Sequence, residues 1–149
     1  MPRKILILVE VKEKHSGEKF VPHVIEPSYG IDRILYFLIE HNYIEGKKKD
    51  EEYTILRLNP LVAPIKVGVF PLIGDDQLIS IAKTIDSTVR DAGIPTFYDE
   101  SGTIGRRYAR MDEIGTPFCI TVDHDSLTDQ KVTVRDRDTT KQERIPIND

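Results

Sequence analysis

At 149 residues the chain has room for one ordinary domain, or for a small domain joined to a fragment of another. Apolar side chains at 39% and charged ones at 31% suit a soluble globular protein and argue against disorder, while a formal charge of −4 excludes a generally basic surface for nucleic acid. Cys119 is the single cysteine, which excludes an internal disulfide and a cysteine-based zinc motif; His15, His23, His41 and His124 are scattered without ligand spacing, so no metal held by protein alone is expected.

The first apolar run, Ile5 to Val9, is too short for a membrane span or a signal-peptide core, and it predicts a cytoplasmic protein with no membrane partner. Phe20, Val21, Val24 and Ile25 then predict a strand that runs into a helix carrying Ile34, Leu35, Phe37, Leu38 and Ile39, a set apolar enough to require burial. The junction between them, Pro22 to Arg33, collects one carboxylate, one hydroxyl, one glycine and one arginine. Arg33 falls in the first helical turn, where unpaired backbone N–H groups and the dipole already favour a phosphate that its guanidinium can grip. Gly30 permits a close approach to the backbone. Glu26, held extended by Pro27, can receive an ammonium group, with Ser28 beside it as a hydrogen-bonding neighbour or as the N-cap. A blander arrangement uses the same residues: Ser28 caps the helix, and Glu26 pairs with Arg33.

Further on, Glu45 to Glu52 is a charged run without hydrophobic period and predicts an exposed loop, whose three lysines either touch RNA or are simply solvated. Asn59 to Pro64 reads as a stiff connector, because each proline fixes its own φ and keeps the preceding residue extended. The expected division is therefore 1–54 for a first piece, 55–64 for the connector and 65–149 for a second unit. In that unit Ile65 to Leu72 predicts a buried strand, and Gly74-Asp75-Asp76 a turn and helix start. Leu78, Ala82, Ile85, Val89 and Ala92 recur along one helical stripe that Gly93 and Pro95 end. Thr96 to Asp99 predicts a second strand, Thr103 to Glu113 a helix buried through Ile104, Tyr108 and Met111, and Phe118 to Val122 a third strand with Cys119 as a core thiol. Lys131 to Arg135 and Arg144 to Ile147, around a polar turn at Asp138 to Lys141, predict a terminal hairpin. The fold class is α/β: a mixed β-sheet flanked by helices, preceded by a strand-helix fragment.

Two basic groups in the second unit are candidates for reading RNA. Arg106, Arg107 and Arg110 share one helical side by their spacing, away from Ile104 and Met111, with pairing of Arg110 to Glu113 as the bland alternative. Arg135-Asp136-Arg137-Asp138 lies at the hairpin, where arginines donate to base edges or phosphates and an aspartate accepts from the exocyclic amine of cytosine; surface ion pairing explains the same residues without RNA.

The run from Gly17 to Arg33 resembles the end of the catalytic domain, including motif 3, of the archaeal and eukaryotic type of glycyl-tRNA synthetase, a class II aminoacyl-tRNA synthetase. Ala63-Pro64-Ile65-Lys66, Phe70-Pro71-Leu72, Gly105 to Phe118 and Val134 to Asp138 resemble the anticodon-binding domain of the same family, so the likeness covers nearly the whole chain. It implies that Arg33 contacts the ATP phosphates, with Gly30 beside them, and that Glu26 and Ser28 recognise the amino group of glycine. Asp32 stands where a glutamate is usual. It also implies a glycine-tRNA ligase that uses ATP and Mg²⁺, a homodimer in its intact form, and recognition of a glycine anticodon whose second and third letters are cytosines. Among the anticodon contacts, Arg107, Arg110, Arg135, Asp136 and Arg137 are candidates by their chemistry. Motifs 1 and 2 are missing, so the chain alone is expected neither to charge tRNA nor to bind a cofactor of its own. A non-catalytic synthetase-like accessory protein is the alternative, and Glu26, Ser28 and Arg33 speak against it.

Overall fold

The computed structural model describes residues 10–23, 25–48 and 51–147. The apolar run at Ile5 to Val9, Val24 of the predicted first strand, and Lys49 and Asp50 of the charged run lie outside them. The chain forms two compact units that divide between Ile31 and Asp32, well before the boundary expected near residue 54.

The first unit holds a short antiparallel hairpin, β1 (Val11–Lys12) and β2 (Lys19–Phe20), with Val11 opposite Phe20. Its turn uses Gly17 at φ +74°, a conformation that costs glycine nothing. The predicted strand thus stops at Phe20, and residues 21–23 and 25–30 are irregular. Pro22 explains the early stop, since it has no N–H for a ladder.

All but the first residue of α1 (Ile31–Asn42) belongs to the second unit, and this helix contradicts the expectation of a buried one. None of its residues is buried: Ile34, Leu35, Phe37 and Ile39 are exposed, and Leu38 is half-buried. The pattern requires an apolar neighbour, and no described element of this unit covers it. The charged run is a second correction, because it forms an antiparallel hairpin of β3 (Tyr43–Lys48) and β4 (Glu51–Leu56) in which Tyr43 faces Leu56 and Gly46 faces Tyr53. Residues 57–66 are irregular but not detached. Leu58 and Ala63 are buried, and Asn59 organises a turn by accepting the Leu61 N–H on its side chain and those of Val62 and Ala63 on its carbonyl.

The rest follows the predicted order. Five strands, β5 (Val67–Pro71), β6 (Thr96–Tyr98), β7 (Phe118–Val122), β8 (Lys131–Asp136) and β9 (Gln142–Pro146), form one sheet in the order β6-β5-β7-β8-β9. β5 runs parallel to β6 and β7, while β8 and β9 are antiparallel additions, so the sheet is mixed.

Side chains alternate across each strand, and the two sheet faces therefore collect different sets. On one face Val69, Val122 and Val132 pack with Leu78, Ala82 and Ile85 of α2 (Asp76–Asp91). Asp75 starts that helix by accepting the N–H groups of Gln77 and Leu78, and Gly93 at φ +81° follows its end. On the other face Phe70 and Cys119 pack with Met111 of α3 (Ile104–Glu113), whose N-cap is Thr103, and Ile104 and Tyr108 complete the cluster as predicted. Burial pushes the Cys119 thiol up to about 12, as befits a core residue. A one-turn helix, α4 (Ser126–Asp129), precedes β8 and was not expected.

Candidate nucleic-acid interface

The residues expected to hold glycine and ATP are all at the surface. Glu26, Ser28 and Gly30 are exposed in the irregular part of the first unit, and Arg33 is exposed in the first turn of α1 in the second. The helix begins at Ile31, three residues after Ser28, so Ser28 does not occupy the N-cap. Among the described residues no cluster of His, Cys, Asp or Glu is placed to hold a metal ion.

On the α3 face of the sheet, α3, β4 and the β8–β9 hairpin enclose a groove of about 590 Å³. Tyr53 and Arg57 line it from one side, Tyr108, Asp112 and Glu113 from α3, and Arg135 and Asp138 from the hairpin. The predicted arginines are used here in an unexpected way. Arg135 makes a bidentate ion pair with Asp112, both N–O distances being 2.9 Å, and its guanidinium lies 5.0 Å from the centre of the Tyr108 ring. Burial opposes its charge, but the Asp112 hydrogen bonds prevail and raise its pKa. Tyr108 is fixed in turn: its hydroxyl pairs with that of Thr121 at 2.6 Å, and its ring meets Phe70 edge to face.

Arg137 is a buried clamp. At 1% exposure it donates to the carbonyls of Leu56, Leu58 and Gly115 at 3.1, 2.8 and 2.8 Å and pairs with the carboxylate of Asp138. It thereby ties the end of β4 to the end of α3 and to the hairpin. Asp138 also meets Arg57, at 3.3 Å, on the rim. Gly115 adapts to this junction, since it sits at φ +83° and a Cβ there would approach Leu58 Cδ1 to 2.8 Å and the carbonyl oxygen of Leu56 to 3.0 Å. Asp136 faces its own turn and accepts both the N–H and the hydroxyl of Thr139. Those bonds, the backbone one foremost, hold its carboxyl below the usual range.

The grouping of Arg106, Arg107 and Arg110 away from Met111 is corrected. Arg107 lies on the buried side of α3 with Met111 and donates to the carbonyls of Pro71 and Gly102. The spacing itself carried the signal, since Arg107 and Met111 are four residues apart and hence on one face. Arg110 is exposed and pairs with Asp99 at 2.6 Å rather than with Glu113. Arg106 is exposed. Of these arginines and Arg57, Arg57 is therefore the one that lines the groove at its surface, whereas Arg110 turns toward Phe97 and Asp99.

A profile of the family described as "Anticodon binding domain" matches residues 62–149, more than half of the chain. The chain belongs to that family. Its anticodon-binding domain accordingly contains the whole five-stranded sheet with α2, α3 and α4, whereas the β3–β4 hairpin precedes the matched region. The relatives include glycine–tRNA ligases of Methanococcus maripaludis, 50% identical over 99% of this chain, and of Methanocaldococcus jannaschii, 53% identical over 94%. The chain spans about a quarter of the length of these curated relatives, 25% and 24% respectively. Among solved structures, a prolyl-tRNA synthetase from Cryptosporidium parvum superposes with a TM-score of 0.59 and 25% identity over 62% of this chain and 20% of that one. The mixed sheet with flanking helices is thus an anticodon-binding-domain fold, as its sequence predicts.

Proposed function

We propose that this chain is the anticodon-reading part of a glycine–tRNA ligase and that it also brings motif 3 to the catalytic centre of that enzyme. The anticodon-binding family match over residues 62–149, joined to half-identity with glycine–tRNA ligases along nearly the full chain, carries this reading. In it the groove beside α3 receives the unpaired anticodon. Arg57 on its rim, with Arg106 and Arg110 beyond it on the exposed side of α3, contacts phosphates, and Arg135 and Glu113 present a donor and an acceptor to base edges, a pair of functions that suits cytosine. Asp136, Arg107 and Arg137 act through the shape they give to the hairpin and to the end of α3.

Glu26 and Ser28 would receive the glycine amino group, and Arg33, with Gly30 beside it, the ATP phosphates; ATP with Mg²⁺ supplies the activating chemistry in the whole enzyme. That whole enzyme acts in the cytoplasm as a homodimer. The chain alone binds glycine tRNA and does not charge it, because adenylate formation needs a second arginine and metal-bound phosphates that these residues do not provide.

The test is calorimetry with glycine tRNA and with the same tRNA in which both anticodon cytosines are replaced. The native form should bind more tightly by about 1 to 3 kcal/mol for each replaced base. Equal affinity for both would sink the anticodon reading.

A further inference from the structure

The β3–β4 hairpin lies outside the region matched by the anticodon-binding family, yet it walls the groove through Glu52, Tyr53, Thr54 and Ile55. Of the two aromatic rings in that groove, Tyr108 is already engaged, with Phe70 at one edge, Arg135 over the ring and Thr121 on the hydroxyl. Tyr53 is different. The residue is 43% exposed, and its ring is backed by the cross-strand glycine: a Cβ on Gly46 would stand 2.3 Å from Tyr53 Cζ and 2.6 Å from Cε1. Glycine at 46 therefore lets an aromatic ring lie down on a two-stranded ribbon. The ribbon itself is pinned, because Arg137 holds the carbonyls of Leu56, the last residue of β4, and of Leu58 just beyond it.

We propose that Tyr53 is a stacking platform for one unpaired nucleobase of the bound RNA, so that the groove is a nucleotide site built jointly by the hairpin and the anticodon-binding domain. This rests on the reading of the chain as an anticodon binder. An exposed, backed ring beside arginine donors is the arrangement that single-stranded nucleic acid uses, since every base offers a π face and the ring spends little conformational freedom. Arg57, the first residue past the hairpin and half-exposed on the same rim, neutralises the phosphate next to the stacked base.

The chain has no tryptophan, so Tyr53→Trp installs a single fluorescent reporter at the platform. Titrating the full-length variant with the anticodon stem-loop of glycine tRNA should quench its emission, as a base stacks on the indole. Tyr53→Ala should weaken binding by about 5- to 150-fold, the range for loss of one base-aromatic stack, and Tyr53→Phe should keep the affinity. Should Tyr53→Ala not fold, Tyr53→Leu, which keeps bulk without a π face, must show the same loss. Unchanged affinity on removal of the ring, or a loss in Tyr53→Phe equal to that in Tyr53→Ala, overturns the platform. The two readings separate cleanly: discrimination by the wild-type chain between native and cytosine-replaced stem-loops reports on anticodon recognition, and the dependence on Tyr53 reports on the hairpin.

Discussion

Arg137 decides how the hairpin arginines are to be understood. A guanidinium at 1% exposure with donors directed at three backbone carbonyls has been taken out of water and has to be repaid by those bonds. Replacing it by alanine leaves the carbonyls of Leu56, Leu58 and Gly115 without these donors in the interior, and unmatched buried polar groups cost about 1 to 3 kcal/mol apiece. Arg137→Ala should therefore lose on the order of 3 to 5 kcal/mol of folding stability, read as a lower midpoint in denaturant. Lysine is a poor substitute, because an ammonium cannot span three acceptors in the geometry of a planar fork. The loss should concentrate where the clamp acts, and amide exchange in β3 and β4 should rise in Arg137→Lys before exchange in β5 or β7 changes. Intact stability with weakened RNA affinity would mean that Arg137 leaves its carbonyl partners to contact RNA.

The β8–β9 hairpin owes its turn to Asp136, whose carboxylate accepts from the Thr139 N–H and hydroxyl while Thr140 takes a positive φ of 57°. The Thr139 backbone bond is the leading cause that lowers the Asp136 pKa from 3.8, so its contribution to stability is complete above that unfolded value and disappears as pH falls through the folded one. Asp123 shares the trend: burial would raise it, but Arg144 and Ser126 outweigh burial and lower it. The denaturant midpoint should accordingly fall on acidification below about pH 4, the region of ordinary carboxylate titration. Asp136→Asn should make that acid limb shallower, and an unchanged limb would show that the turn does not depend on the charge. This hairpin was legible in sequence because Val132 and Val134 alternate with polar residues around a polar turn. The β3–β4 hairpin was not, for its apolar ends, Tyr43 and Ile44 against Ile55 and Leu56, enclose a tip of charges that conceals the pairing. The signal was the mirror symmetry of those ends. Arg137 was equally hidden, since burial of its guanidinium depends on carbonyls brought from distant segments, and no local pattern records them. Periodicity did locate α2, α3 and the sheet, where apolar spacing alone sets the faces. It failed on α1, whose apolar stripe is real but has no covering partner among the described residues of its unit.

For the molecule as a whole, a net charge of −4 means that RNA is attracted by a local arrangement against a repulsive background. Most arginines of the sheet region make their main bonds within the protein: Arg135 with Asp112, Arg144 with Asp123 and Asp129, Arg107 and Arg137 with backbone carbonyls. Arg57, at 51% side-chain exposure, shares an exposed ion pair weak enough to be exchanged for a phosphate, and Arg110, at 43%, keeps part of its guanidinium in solvent while it pairs with the largely buried Asp99. With Arg106, which like Arg110 lies beside the groove and not in its lining, they make about three phosphate contacts available, and each phosphate neutralised on a single strand contributes roughly −0.7 to the slope of log affinity against log salt. The slope for an anticodon stem-loop should therefore be near −2, much shallower than for a basic RNA-binding protein, and Arg57→Gln should reduce its magnitude by about 0.7. The remaining affinity must then come from stacking and base-edge hydrogen bonds, which salt hardly screens. A steep slope, on the order of −5 or beyond, would require phosphate contacts far outside this groove and would move the RNA onto another face of the protein.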